Sequence, residues 1–301
     1  MNQEFIYIVI IIALGYLLKR TGVLRESDGE VISRIIFNIT LPSLVIVSLQ
    51  TSAITVSLMG ITLIVILFGI LSTIVAYFVF RNETREIKGT FMMLASGYNV
   101  GLFAFPLVEA FWGAEGLLYF GMFDVGNSFI VFGLAYIVGS YFSEGGMKLE
   151  GRAILMKFGK SIPLMTYMVM SALNFGHIQL PSVLLEVATI ISKANMPLAL
   201  LLLGIYLKFS FEKQYIRPII KYLVFRYGFG LLVGISLYFV LPVNDMFKYT
   251  ILLGLVLPIG LAVIPYAHEF KYRTTMMIGT VSNLCILISM ILMYLFSLFI
   301  L

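Results

Sequence analysis

The chain has 301 residues, of which 60% are hydrophobic and only 12% are charged, and its mean hydropathy is +1.03. Soluble domains carry about 45–50% apolar and about 25% charged residues, so the composition indicates a polytopic membrane protein and excludes an ordinary soluble domain. The formal charge of +5 does not indicate a nucleic-acid partner, because the excess basic residues fall in connections where membrane topology places them. One cysteine and two histidines exclude a disulfide framework and leave little for a metal centre.

Ten apolar segments, most of them long enough to cross a lipid bilayer, follow one another along the chain. They cover residues 4–19, 30–50, 55–80, 89–111, 115–142, 153–175, 182–207, 217–241, 247–270 and 274–300. No basic residue precedes the first segment, so we expect it to be a retained helix rather than a signal peptide.

The distribution of lysine and arginine predicts the orientation of these segments. Nearly all basic residues lie in or beside the connections after the odd-numbered segments, whereas the even-numbered connections contain only Lys248. By the positive-inside rule, the odd-numbered connections are cytoplasmic and both termini lie outside. We therefore expect a multi-pass protein of the plasma membrane.

The ten segments divide into two sets of five, residues 1–145 and 146–301. An odd number of crossings per half requires that the halves run in opposite directions. Residues 101–106 and 260–265, inside segments 4 and 9, both begin with Gly-Leu and end with Pro, residue types that disfavour a helix interior. Asn38 and Asn195 add a weaker match between the halves. The sequence thus predicts an all-α fold of two inverted five-helix repeats with crossing broken helices 4 and 9.

Broken helices inside a membrane typically mark a transporter's binding site, because their ends present unpaired backbone groups to a ligand. Two basic residues well inside segments 7 and 8 are further candidates for an anionic substrate. The predicted substrate-binding residues are Asn99, Gly101, Pro106, Pro258, Gly260, Pro265, Lys193 and Arg226. The alternative is structural: the breaks are packing kinks, Lys193 pairs with Glu186, and Arg226 pairs with Asp124.

A carboxylate inside segment 5 is the candidate for ion coupling or gating. Asp124 and Asn127 lie three residues apart and face the same way on a helix, and Asn283 occupies the matching position of the second half. A charged group at this depth is costly unless it has a partner or a function. Asp124 could hold a proton, or could bind Na⁺ together with Asn99 and Asn127. The sequence predicts no organic cofactor and no resident metal.

Catalytic motifs are absent from the sequence. It contains no phosphate-binding GxxxxGK[ST] loop, no HExxH and no GxSxG, so we expect neither an enzyme nor a pump that uses ATP directly. A channel and a non-transporting ligand sensor are the alternatives from other classes, although no selectivity-filter sequence is visible.

Three stretches carry a resemblance to a known family. Residues 98–107 (YNVGLFAFPL) and 257–270 (LPIGLAVIPYAHEF) resemble the two crossover regions of the auxin efflux carrier family, and residues 123–127 (FDVGN) resemble a region of its bacterial members. That family contains bacterial malate and malonate permeases and plant exporters. The resemblance implies a fold like that of the bile acid:sodium symporters. Segments 1, 2, 6 and 7 would form a scaffold and a homodimer surface, and segments 3–5 and 8–10 a transport domain.

The same resemblance narrows the expected function. Plant members carry a polar residue where this chain has Ile259, and many have a long cytoplasmic loop where residues 143–153 form a short connection. We therefore expect a secondary or facilitative carrier that moves small organic anions, mono- or dicarboxylates such as malate or malonate, by alternating access. An exporter of auxin-like aromatic carboxylates is the alternative within the family.

Overall fold

The computed structural model describes residues 2–51, 54–146, 151–208 and 215–300. Lys148 and Lys213, which belong to the predicted cytoplasmic connections, lie outside the described residues. The helices are α1 (Asn2–Arg20), α2 (Asp28–Ile35), α3 (Leu41–Thr51), α4 (Met59–Val79), α5 (Arg85–Ser96), α6 (Phe105–Phe129), α7 (Tyr136–Phe142), α8 (Gly151–Lys160), α9 (Ile162–Phe175), α10 (Ser182–Ser192), α11 (Asn195–Tyr206), α12 (Ile216–Val240), α13 (Asp245–Gly254), α14 (Val263–Glu269) and α15 (Thr275–Ile300). A short 3₁₀ turn, Val56–Leu58, precedes α4.

Several of these helices continue one another. A widened, π-helical turn links α2 to α3 (Ile36–Thr40), leads into α6 (Val100–Ala104) and links α6 to α7 (Ile130–Ala135). Within α6 the helical path breaks at Gly113, whose φ of 55° and ψ of -138° lie outside helical geometry and favour glycine. This break falls between predicted segments 4 and 5.

The helices identify a multi-pass membrane protein. Within the described residues, six helical stretches are long and apolar enough to cross a membrane, by length and composition. They are Asp28–Gln50, Met59–Val79, Val100–Phe142, Ser182–Tyr206, Ile216–Val240 and Thr275–Phe296. The α9 helix is apolar but shorter. Because the chain breaks between α5 and α6 and between α13 and α14, predicted segments 4 and 9 do not count as single long helices.

Close helix contacts occur where small residues face a neighbouring backbone. The α1 helix packs along α11, and a Cβ atom added to Gly204 would lie 2.0 Å from the Ile12 carbonyl oxygen. The α3 helix packs against α9 and α10, whereas α4 packs against α6, and α12 against α13. Small residues let helices approach closely in lipid, where no hydrophobic effect drives them together.

The two broken helices meet at their breaks. The α5 helix ends at Ser96 because Gly97 is extended (φ -132°, ψ 169°), and α13 ends at Gly254. Tyr98 and Ile259 then form an isolated antiparallel bridge. The Asn99 N–H donates to the Pro258 carbonyl oxygen at 2.9 Å, and the Gly260 N–H donates to that of Gly97 at 3.4 Å. Each break therefore satisfies backbone groups of the other, as the interior of a membrane requires.

The second break overlaps its repeated phrase, because residues 255–262 are non-helical and include Gly260. In the first half, the non-helical backbone occupies residues 97–99, just before the repeated phrase at residues 101–106. Pro265 lies in the first turn of α14. Backbone N–H groups in the first turn have no acceptor within the helix, so a proline there costs no helical hydrogen bond. Pro106 follows the widened turn Val100–Ala104 and disturbs the hydrogen-bond ladder without ending the helix.

Candidate functional site

A cavity of about 1000 Å³ leads from the crossing to one end of the molecule. Tyr98, Asn99 and Gly260 line its inner end. Residues of the basic, odd-numbered connections and their flanks line its mouth, namely Glu26, Lys157, Lys160, Lys208 and His268. The cavity is therefore open toward the side that carries the basic connections.

The path on the other side of the crossing is filled. One apolar cluster buries several bulky side chains almost completely. Some of them follow the break in segment 4, and the others precede Asp124 in segment 5. They are Phe103, Phe105, Leu107, Phe120 and Phe123. Among the described residues, the crossing thus lies between this open cavity and a tightly packed apolar cluster.

Asn99 places an unsatisfied donor at the inner end of the cavity. Its Oδ1 accepts from the Leu102 N–H at 3.2 Å and caps the helical stretch that begins at Val100. Its Nδ2 has no hydrogen-bond partner in the described structure, although the residue is only 5% exposed. A buried amide without a partner is costly, so this donor is free to serve a ligand that brings an acceptor.

The other break residues divide into two groups. Gly101, Gly260 and Pro265 line the cavity, whereas Pro106 and Pro258 do not. A Cβ atom added to Gly101 would lie 3.1 Å from the Phe37 ring, so glycine keeps this part of the wall open. Pro258 acts through its backbone, since its carbonyl oxygen accepts the Asn99 N–H.

The three predicted coupling residues, Asp124, Asn127 and Asn283, all line the cavity. Asn127 Oδ1 accepts from the Tyr98 N–H at 2.8 Å, and its Nδ2 donates to the Tyr98 carbonyl oxygen at 3.0 Å. The same Nδ2 lies 3.2 Å from Asp124 Oδ1, which confirms that the two side chains face each other. Asn283 Nδ2 donates to the Lys208 carbonyl oxygen at 2.6 Å. Asn127 therefore connects Asp124 to the backbone of the break.

Neither predicted basic residue reaches the cavity. Arg226 is 4% exposed and donates to backbone carbonyl oxygens behind the breaks. Lys193 is exposed between α10 and α11 and does not line the cavity. Among the described residues the structure has no ion pair between Lys193 and Glu186 or between Arg226 and Asp124, so these two structural pairs are not formed.

The mouth contains a polar cluster that the sequence does not reveal. Lys157 Nζ lies 2.9 Å from Glu269 Oε2, and Tyr136 Oη donates to Glu269 Oε1 at 2.8 Å. The same Nζ lies 4.3 Å from the centre of the Tyr136 ring and 4.9 Å from that of Tyr266. Lys157 and Glu269 are 112 positions apart, so only a prediction of the fold could have paired them.

Comparison with known proteins gives consistent matches. A family model described as membrane transport protein matches residues 3–156. An uncharacterized transporter of Methanothermobacter thermautotrophicus is 24% identical over 217 residues, which cover 71% of this chain and 70% of that protein. An uncharacterized transporter of Methanocaldococcus jannaschii is 26% identical over 210 residues, which cover 66% of this chain and 67% of that protein.

Proposed function

Because the chain belongs to the membrane transport protein family, which is of the auxin efflux carrier type, we propose that it is a secondary or facilitative carrier of small organic anions. The observation that carries this proposal is the unpartnered Asn99 Nδ2 at the inner end of the cavity. It stands beside the N-terminal end of the helical stretch that begins at Val100. Helix N-termini carry partial positive charge and favour anions.

Mono- or dicarboxylates such as malate or malonate are the proposed substrates. A carboxylate oxygen accepts a hydrogen bond from an amide N–H, and the cavity volume of about 1000 Å³ holds a small acid together with water. Lys157, Lys160 and Lys208 at the mouth would raise the local concentration of anions. The apolar Ile259 at the crossing offers no side-chain hydrogen bond, which favours this class over an auxin-like aromatic carboxylate.

We further propose that transport proceeds by alternating access between two five-helix halves, residues 1–145 and 146–301, that cross the membrane ten times. Predicted segments 1, 2, 6 and 7 would form the scaffold of a homodimer, and the other six the moving domain. The packing of α1 on α11, and of α4 on α6, supports such a division. Charge bias supports a plasma-membrane protein with both termini outside and the open cavity facing the cytoplasm.

The filled side of the crossing favours a carrier over a channel. A channel needs a continuous path, whereas here a cluster of buried aromatic and aliphatic residues lies beyond the cavity. A carrier requires one closed gate at a time, and this conformation matches that requirement. A ligand sensor would need the same cavity without transport, so only measured flux separates it from a carrier.

Asp124 is the proposed coupling residue. An anion and an ionised Asp124 would repel each other in one cavity, and a proton on Asp124 would remove that repulsion. Asn127 joins Asp124 to the Tyr98 backbone, so a change of charge at Asp124 acts directly on the break. Asn283 lines the same cavity from the second half.

A thermal-shift screen of the purified protein tests the substrate class. We expect malate, malonate or a related small carboxylate to raise the melting temperature in a saturable way, because a ligand that binds only the folded state stabilises it. The corresponding uncharged amides, used at the same concentrations, should have no effect. Stabilisation by the amides, or by no carboxylate in the screen, would contradict the proposal.

A further inference from the structure

We propose that Arg226 serves as a permanent internal cation for the carbonyl ends of both broken helices. The crossing then has no place for a coupling Na⁺ ion, and transport does not require one. The statement about transport rests on the proposed carrier function, whereas the statement about the crossing does not. The sequence leaves Na⁺ open as a coupling ion that would be bound by Asn99, Asp124 and Asn127, so the surroundings of these residues decide whether Na⁺ fits.

The guanidinium group contacts both breaks at once. Arg226 Nη1 donates to the Leu94 carbonyl oxygen at 3.0 Å, and Nη2 donates to that of Gly97 at 3.3 Å, at the end of α5. Nη2 and Nε donate to the Leu257 carbonyl oxygen at 2.8 and 3.3 Å, just beyond the end of α13. The carbonyl end of a helix carries partial negative charge and leaves acceptors unpaired. Arg226 therefore binds the groups that a cation would need.

The positive charge of Arg226 is balanced by dipoles and not by an acid. In the part of the chain that the structure describes, no carboxylate lies within ion-pair distance of this side chain. The side chain also contacts the Tyr222 hydroxyl, which accepts from Nη1 at 3.1 Å, and the Tyr98 ring, whose centre lies 4.6 Å from the guanidinium carbon. The planar guanidinium group of arginine carries five N–H donors that point in different directions, which suits several separate acceptors. A lysine ammonium group carries only three donors on one atom.

The oxygen atoms expected to bind Na⁺ already accept hydrogen bonds. Asn99 Oδ1 accepts from the Leu102 N–H, and Asn127 Oδ1 accepts from the Tyr98 N–H. The carbonyls of Gly97 and Leu257 accept from Arg226. Of the predicted Na⁺ ligands only the Asp124 carboxylate keeps an oxygen that accepts no described hydrogen bond. A Na⁺ ion would have to compete with these donors, and with the Arg226 charge, for the second lone pairs of the same oxygens, and we infer that the crossing is a poor fit for Na⁺.

The location of Arg226 also accounts for the preference for anions. Tyr98 lines the cavity, and its ring centre lies 4.6 Å from the guanidinium carbon, so the fixed charge lies close behind the inner end of the cavity. Because a positive charge in a low-dielectric interior acts over such a distance, it attracts an anion and repels a metal cation. Asn99 would supply the direct contact and Arg226 the charge behind it.

Chemical rescue of a variant tests this role. Arg226→Ala should lower the melting temperature and abolish carboxylate transport, and added guanidinium chloride at non-denaturing concentration should restore part of both in a saturable way. Urea at the same concentration is the control for denaturant effects. Arg217→Ala, which removes an exposed arginine from the same helix, is the matched control and should show neither loss nor rescue. Loss without any guanidinium-specific rescue would overturn the proposed role.

A second measurement uses the unmodified protein and does not depend on the variant's folding. Replacing choline chloride by NaCl at equal ionic strength should change neither the melting temperature nor the rate of malate uptake into liposomes. A saturable rise of either with Na⁺ would overturn the inference and leave the carrier function standing. Absence of any carboxylate transport would contradict the carrier function, while the melting-temperature comparison would still decide whether the crossing binds Na⁺.

Discussion

At the scale of single residues, Asn99 combines two roles that a substitution can separate. Its Oδ1 caps a helix by accepting the Leu102 N–H, and its Nδ2 has no partner among the described residues, although the residue lines the cavity. Asn244 caps α13 in the same manner, through the Phe247 N–H at 2.9 Å, but does not line the cavity. The chain therefore contains a matched pair of capping asparagines, of which one faces the proposed substrate.

Replacing Asn99 by serine should lower carboxylate affinity and leave the fold intact. Serine keeps an oxygen that can cap a helix about as well as asparagine but removes the amide donor. A hydrogen bond to a charged group is worth about 1.5–3 kcal/mol, so KM for uptake should rise about tenfold to a hundredfold. Asn244→Ser is the control and should leave KM unchanged. An unchanged KM in Asn99→Ser would remove Asn99 from the binding site.

For Asp124 we predict a role in coupling transport to a proton gradient rather than in binding the substrate. In Asp124→Asn a neutral side chain of nearly the same shape remains within reach of Asn127, but no proton can be carried. We expect exchange of carboxylate across the membrane to continue, while uptake driven by an imposed pH gradient falls to the level seen without the gradient. Asp245→Asn, at the exposed start of α13, is the control. Gradient-driven uptake that persists in Asp124→Asn would exclude Asp124 as the coupling residue.

At the scale of elements, the crossing depends on close approach of the chain at Gly97. A Cβ atom added there would lie 2.4 Å from Val131 Cγ2. Gly97→Ala should therefore lower the free energy of unfolding by about 1–3 kcal/mol, the usual cost of overpacking. Gly228→Ala places a Cβ with nothing within 4 Å and should be neutral or slightly stabilising.

Calorimetric melting of these two variants checks the packing at Gly97. A second change, Val131→Ala in the Gly97→Ala background, should recover part of the lost stability because it removes the clashing methyl group. If Gly97→Ala were as stable as Gly228→Ala, the first break would not pack against Val131 as closely as the structure has it.

The Lys157–Glu269 ion pair links α8 to α14 at the mouth of the cavity and should stabilise the open conformation. Glu269→Gln removes the charge but keeps an acceptor for the Tyr136 hydroxyl. Since partly exposed ion pairs contribute about 0.2–1 kcal/mol, the ratio of open to closed molecules should fall by up to about fivefold. The rate at which a water-soluble thiol reagent labels a cysteine placed at Asn38, in the cavity wall, reports the open population.

The neighbouring ion pair of Lys208 and Glu26 provides the control for that labelling. Both residues lie at the same mouth, but α11 and the connection after α1 belong to the proposed scaffold alone. Glu26→Gln should therefore leave the labelling rate at position 38 unchanged. Equal effects of the two substitutions would mean that general electrostatics, and not a contact between domains, controls access to the cavity.

At the scale of the whole molecule, the sequence predicts more of the fold than of the contacts. Composition and glycine–proline placement predict a polytopic membrane protein with two interrupted segments, because hydropathy and helix breaking act locally. The first break lies a few residues before its repeated phrase, because proline disfavours only the helical turn before it and can begin the next one. Asn99, Asp124 and Asn127 line the cavity, and the meeting of the two breaks brings them there.

The contacts of the basic residues could not be predicted in the same way. Arg226 bonds to backbone carbonyls, which every residue possesses, so no sequence pattern marks its partners. Lys157 and Glu269 meet only because distant helices share one end of the molecule. Sequence patterns report the elements that form, whereas such contacts depend on how the elements pack.

In the proposed carrier, one cavity opens to the two sides of the membrane in turn. Counterflow in liposomes that contain only the purified protein tests it most directly. We predict saturable uptake of labelled malate or malonate that is faster when the same unlabelled acid is present inside. Uptake that neither saturates nor responds to internal substrate, or no uptake of any small carboxylate, would contradict the proposed carrier.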